Sequence, residues 1–205
     1  MSGGTTLSLS LTLAAVAVLL ELLATGIYIR AILRQEILPS RASWLIWAPL
    51  EWLTVASTFE GGGGLVLAKL AAGALGTSVI CLLALRYGSG GRTRIDLGCF
   101  TVTLVGIGLW ATLGEPLLAL TIFLPADLTG AVPTLLATWR SPRSERTQPW
   151  LLHLLATALI LLTVPAPAWT AGAAGLASWA APLYLFLLNG LIVALTLRPA
   201  RPALA

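Results

Sequence analysis

The sequence predicts an all-α integral membrane protein. Seven transmembrane helices form two parallel three-helix repeats joined by a linker helix, a 3+1+3 plan with the N-terminus outside and the C-terminus cytoplasmic. Three observations lead there. The 205 residues are 58% hydrophobic and only 10% charged, with a mean hydropathy of +0.92, against about 25% charged residues in a soluble domain. The chain divides into seven apolar stretches. Its eleven arginines all fall in connections that an odd number of spans brings to one side.

Taken in order, each stretch approaches the roughly 20 apolar residues a span requires. Residues 7–29 are the first; no basic residue precedes them, and the run exceeds the roughly 7–15 apolar residues of a secretory signal, so it reads as a span. Residues 43–59 and 65–86 follow, separated from the first by RQEILPSR and from each other by EGGGG. Residues 96–113 come after RYGSGGRTR, and 116–139 after the tight GEP. The last two, 150–168 and 175–197, are bounded by RSPRSERTQP and PAPAWTAGAA. The corresponding units are residues 1–87, a linker unit 88–114, and 115–205. Cys81 and Cys99 lie in or beside apolar runs, where neither a disulfide framework nor a metal site is expected.

The arginines orient the chain. Arg30, Arg34 and Arg41 lie between spans 1 and 2, and Arg86, Arg92 and Arg94 between spans 3 and 4. Arg140, Arg143 and Arg146 separate spans 5 and 6, while Arg198 and Arg201 follow span 7. EGGGG, GEP and PAPAWTAGAA contain no Lys or Arg. The positive-inside rule makes the arginine side cytoplasmic. The formal charge of +4 is spread over short loops, so it carries no nucleic-acid signal.

Spans 1 and 5 end alike. TGIYIRAILRQEILPSRASW and TGAVPTLLATWRSPRSERTQPW each run from Thr-Gly through a helical exit, an arginine-rich loop with a proline, and a tryptophan opening the next span. Because one span separates the two units, they run in the same direction, one of the repeat arrangements found in transporters. This plan resembles that of the SWEET sugar transporters and the wider PQ-loop proteins. Gly130-Ala-Val-Pro133-Thr134 is similar to their Gly-x-x-Pro-Gln element, with threonine in place of glutamine. The matching place in span 1, Gly26-Ile-Tyr-Ile29-Arg30, has neither proline nor glutamine. The resemblance implies alternating access around a site between the repeats. Asn189, the single asparagine of the chain, resembles half of the polar pair that the family presents in spans 3 and 7, with Thr77 at the matching place.

Ionisable groups inside spans are costly and are functional candidates by default. Glu21, Thr77 and Asn189 each precede a cytoplasmic arginine by nine residues, which sets all three at roughly 13–14 Å from the inner boundary. Glu51 falls near the same depth, and Asp127 about 20 Å from that boundary, toward the outside. Glu21, Thr25 and Tyr28 share one helix face; Asp127, Gly130 and Thr134 share another; Trp44, Trp47 and Glu51 align with Trp52 beside them. Substrate contacts are therefore expected from Glu21, Glu51, Trp52, Thr77 and Asn189, and proton coupling from Asp127 and Glu21. Gly130, Pro133, Pro125 and Pro49 are expected hinges, since each proline removes a helical hydrogen bond. Lys69 is expected to snorkel outward or pair with Glu60, with a midplane acid as the alternative partner. His153, Trp44, Trp139 and Trp150 read as interfacial residues.

These features point to a secondary transporter or facilitator of a small polar solute, with the proton as a candidate coupling ion and the lipid bilayer as its surroundings. No nucleotide motif, Ser-His-Asp arrangement or metal-ligand spacing is present, so no enzyme activity and no cofactor are expected. A rhodopsin is disfavoured because span 7 has no lysine. The other class compatible with the pattern is a non-transporting accessory, sensor or lipid-handling subunit.

Overall fold

Long apolar runs satisfy their own backbone polar groups most simply as helices, and the computed structural model is helical accordingly. It describes residues 2–62, 64–91, 93–113 and 116–199. Arg92, Arg201 and, in the GEP connection, Gly114 and Glu115 lie outside the described residues. The helices are α1 (Ser2–Leu33), α2 (Arg41–Glu60), α3 (Val66–Tyr87), α4 (Arg94–Leu113), α5 (Pro116–Arg140), α6 (Thr147–Leu161), the short α7 (Ala166–Thr170) and α8 (Ala173–Thr196). A 3-10 turn, Pro142–Ser144, precedes α6.

Local signals set the ends. Gln35 adopts a left-handed φ of 55°, and the amides of Gln35 and Glu36 donate back to Ile32 and Ala31 carbonyls. This reversal closes α1 with the paired bonds of a Schellman motif. The Ser40 side chain accepts from the Ser43 amide at 3.3 Å and caps α2. At the start of α4, Asp96 Oδ2 accepts from the amides of Gly91 and Thr93, while the Asp96 amide donates to Thr93 Oγ1. That reciprocal arrangement is a capping box, which gives this acid a structural task.

The sixth predicted stretch, 150–168, departs from expectation. Its helix stops at Leu161, and a new turn of helix starts only at Ala166. Pro165 is the cause: it has no amide to donate and it disfavours helical backbone in the residue before it, and it sits itself in extended backbone with ψ 140°.

Among the described residues, three helical segments are long and apolar enough to cross a membrane: Leu7–Leu33, Val66–Tyr87 and Ser178–Thr196. Thr147–Leu161 is apolar but shorter. Large aliphatic side chains face outward along α1, α3 and α4, including Leu19, Leu23, Leu82 and Leu104, whereas Glu21, Lys69 and Asp127 are buried. Large apolar side chains thus face outward while several ionisable ones lie inside.

Packing follows a regular scheme. α1 packs on α3 and α6, α2 on α3 and α5, α8 on α5 and α6, and α4 mainly on α5. The arginine-bearing connections meet one another. The Ser89 amide donates to the Pro39 carbonyl and the Arg41 amide to the Ser89 carbonyl, Arg146 pairs with Glu36, and Arg198 donates to the Trp139 carbonyl at 2.6 Å. Helices approach most closely where side chains are smallest. A Cβ on Gly130 of α5 would stand 2.5 Å from Ile46 Cγ2, and one on Gly76 of α3 would stand 2.5 Å from Thr25 Oγ1.

Gly130→Ala should therefore force α2 and α5 apart. Overpacking of this kind costs roughly 1–3 kcal/mol, beyond the small helix-propensity gain of alanine. A lower Tm for the detergent-solubilised variant is expected; an unchanged or raised Tm would show that the α2–α5 contact is not tight.

Candidate functional site

The helix faces that carry polar residues turn toward one another around a cavity of about 70 Å³, room for several waters. Six helices contribute. α1 supplies Glu21; α2 supplies Trp44, Trp47 and Glu51; α3 supplies Lys69, Gly73 and Thr77; α5 supplies Asp127; α6 supplies Trp150 and His153; and α8 supplies Tyr184 and Asn189. Among the described residues, α4 lines none of it.

Three polar groupings organise the walls. Glu21 is held from two sides: Lys69 Nζ lies 3.1 Å from Oε2, and His153 Nδ1 lies 3.0 Å from Oε1. Glu51 accepts from Thr77 Oγ1 at 2.9 Å. Asp127 accepts from the Tyr184 hydroxyl at 2.7 Å, while its backbone carbonyl accepts from the Trp47 indole at 3.1 Å. Gly73 lies beside both glutamates: a Cβ there would stand 3.2 Å from Glu21 Oε1 and 3.4 Å from Glu51 Oε2. A larger residue at this position would press on both carboxylates. Among the described residues, no group of three His, Cys, Asp or Glu side chains is placed to share a metal ion.

At the arginine-bearing end the cavity closes on aromatic rings. Trp44, Trp47 and Trp150 pack edge-on or tilted with centroids 5.2–6.5 Å apart, and Tyr28 sits 5.1 Å from Trp44. Tilted and edge-on arrangements are those that aromatic quadrupoles favour. Beneath them, Glu145, in the connection between α5 and α6, is buried and accepts from both the Tyr28 hydroxyl (3.0 Å) and the Trp150 indole (3.1 Å). Burial pushes its carboxyl up to about 7, against the opposing pull of those two hydrogen bonds.

The expected site residues fall into three groups. Glu21, Glu51, Thr77, Asp127 and Asn189 are brought together around the cavity. Trp52 is not: it is 43% exposed and donates to Ser78 Oγ on α3. One residue beyond Glu51 on a helix, it points about 100° away from it. The expected hinges lie within unbroken helices, α2 through Pro49 and α5 through Pro125, Gly130 and Pro133. Gly130 serves close packing against Ile46 and Trp47. Lys69 meets Glu21, the alternative partner, and neither snorkels nor pairs with Glu60. His153, Trp44 and Trp150 turn inward to the cavity, while Trp139 is exposed and carries Arg198 over its ring. Tyr184 and Glu145 carried no sequence signal as site residues.

Compared with protein families, curated proteins and solved structures, the chain matches none of them.

Two measurements test this arrangement. Breaking a buried ion pair by removing one partner typically costs 3–5 kcal/mol, so Lys69→Met should lower Tm strongly and adding Glu21→Gln should restore part of the loss. Full stability of the single variant would contradict the pairing. Glu145 gives a pH signature. Its folded-state carboxyl titrates near 7 and its unfolded one near 4.5, so the folded state holds more protons in that window and loses stability as pH rises through it. The loss, on the order of 3 kcal/mol, is complete above pH 7. Glu145→Gln should flatten the fall of Tm between pH 5 and 8; an unchanged slope would remove Glu145 as its source.

Proposed function

We propose that this chain is a seven-span membrane protein of 3+1+3 plan that moves a small polar solute by alternating access, with proton coupling through Asp127. The observation that carries the proposal is the cavity itself. Six helices each deliver a polar or ionisable side chain to one buried space, inside a molecule whose outer faces are leucine-rich. Intramembrane ionisable residues facing a shared cavity mark substrate and proton pathways.

The packing supports the repeat plan. Exchanging α1 with α5, α2 with α6 and α3 with α8 carries the major contacts among these six helices onto one another: α1–α3 onto α5–α8, α2–α3 onto α6–α8, and α1–α6 onto α5–α2. Matched positions line the cavity in pairs. Trp44 corresponds to Trp150, and three residues on, Trp47 corresponds to His153; Thr77 corresponds to Asn189, and Lys69 to Ala181. α4 lies outside this scheme, as a linker helix would. The meeting of the arginine-bearing connections supports a single cytoplasmic face. The likeness to PQ-loop transporters rests on this plan and on Gly130-Ala-Val-Pro133-Thr134.

In this reading Asp127 is the carrier because its side-chain partner is a neutral hydroxyl, from Tyr184. A buried carboxylate without a cationic partner must be neutralised by a proton or by cargo. Glu21, already paired with Lys69 and His153, holds the helices together and sets the local field. The aromatic cluster over Glu145 forms the cytoplasmic closure, and opening it would separate α2 from α6.

In proteoliposomes holding the purified protein, uptake from a panel of sugars, amino acids, amines and vitamins should depend on an imposed pH gradient. Asp127→Asn should abolish that dependence while leaving the protein folded. Retention of full coupling by the variant would exclude Asp127 as the carrier.

A further inference from the structure

The charges around the cavity do not balance, and the imbalance has a location. The titratable groups facing it from the six helices are Glu21, Glu51, Lys69, Asp127, His153 and Tyr184. Lys69 and His153 both lie on Glu21. Glu51 and Asp127 are left, among the described residues, with hydroxyl donors as their hydrogen-bonding side chains, Thr77 and Tyr184. A hydroxyl orients a carboxylate but does not cancel its charge. Asp127, Lys69 and Glu21 are all near enough to Glu51 for their charges to act on it, so the one lysine is shared between two glutamates while Asp127 adds a third acid.

Trp44, Trp47 and Trp150 line the same cavity, together with Leu70, Leu124, Leu185 and Leu188. Tryptophan faces attract cations, more strongly when water is excluded. An anion would meet three carboxylates. A sugar could hydrogen-bond to the carboxylates and to Asn189 but would bring no charge to offset Glu51 and Asp127.

We propose that the cargo is a small organic monocation, an ammonium on a short apolar body, held between Glu51 and Asp127 and against the tryptophan wall. This deepens the transporter reading and rests on it. Cargo and proton then compete for the same carboxylates, so the protein exchanges one for the other: when the ammonium leaves, a proton takes its place, and the charge in the cavity is conserved.

The test uses the purified full-length protein in detergent at pH 7, with n-propylammonium, 1-propanol, propionate and glucose as probes in calorimetric titration and thermal shift. n-Propylammonium should bind and raise Tm, with the neutral and anionic probes at least tenfold weaker. Glu51→Gln and Asp127→Asn should each weaken n-propylammonium at least tenfold. Trp52→Phe, outside the cavity, should leave its binding unchanged. The comparison of probes on the wild-type protein decides the charge preference even if a variant fails to fold. Equal binding of 1-propanol or glucose would overturn the cation assignment, as would wild-type affinity in a folded Glu51→Gln or Asp127→Asn. Glucose uptake in proteoliposomes without amine binding would overturn the cation assignment alone. Absence of binding by every probe together with absence of pH-dependent uptake would overturn the transporter reading as well.

Discussion

The ion triad centred on Glu21 is the constraint around which the helices are arranged. A carboxylate taken out of water costs several kcal/mol unless opposite charge and hydrogen bonds replace its hydration, and here Lys69 and His153 do so from two other helices. One acid thereby fixes α1 against α3 and α6 at a single depth. Gly73 allows Glu51 to approach the same place from α2.

Packing differs along the length of the bundle. Toward the arginine-bearing end, Tyr28, Trp44, Trp47 and Trp150 fill the interior together with Ile32, Ile80 and Ile192. A second cluster of Ala14, Ala17, Val66, Leu70, Ala156 and Ile160 is made of smaller side chains. Large interlocked rings resist rearrangement more than alanine-rich contacts, which slide with little loss of buried area. The alanine-rich cluster joins α1, α3 and α6, the same three helices that the ion triad ties.

Much of this was legible in the sequence, for identifiable reasons. Helix positions followed from apolar runs because each run is bounded by Gly, Pro or Arg. The inward faces of α1, α2 and α5 followed from spacings of three, four and seven, which bring Glu21 toward Tyr28 and Trp44 toward Glu51. Spacing within one helix says nothing about which residue of another helix lies opposite, so the partners of Glu21 could not be assigned: Lys69 had Glu60 as a nearer candidate in sequence. Trp52 was misplaced because adjacency in sequence is not adjacency on a helix face. Glu145 read as one more charge in an arginine-rich loop, and only the fold covers it with Tyr28 and Trp150. The break before Ala166 carried its signal openly in Pro165 and Pro167, but the surrounding apolar residues masked it.

On the proposed repeat plan the two halves differ in charge. Lys69 has Ala181 as its counterpart, Gly73 has Leu185 and Trp47 has His153, so the first half holds two of the acids and the lysine, and the second half holds Asp127, His153 and Tyr184. Two copies of the first half would crowd four glutamates around two lysines, without His153 or Tyr184 to partner any of them. Two copies of the second would set a pair of aspartates and a pair of histidines in a space with no lysine. On that plan, the charges around the cavity are complementary only when one copy of each half is present.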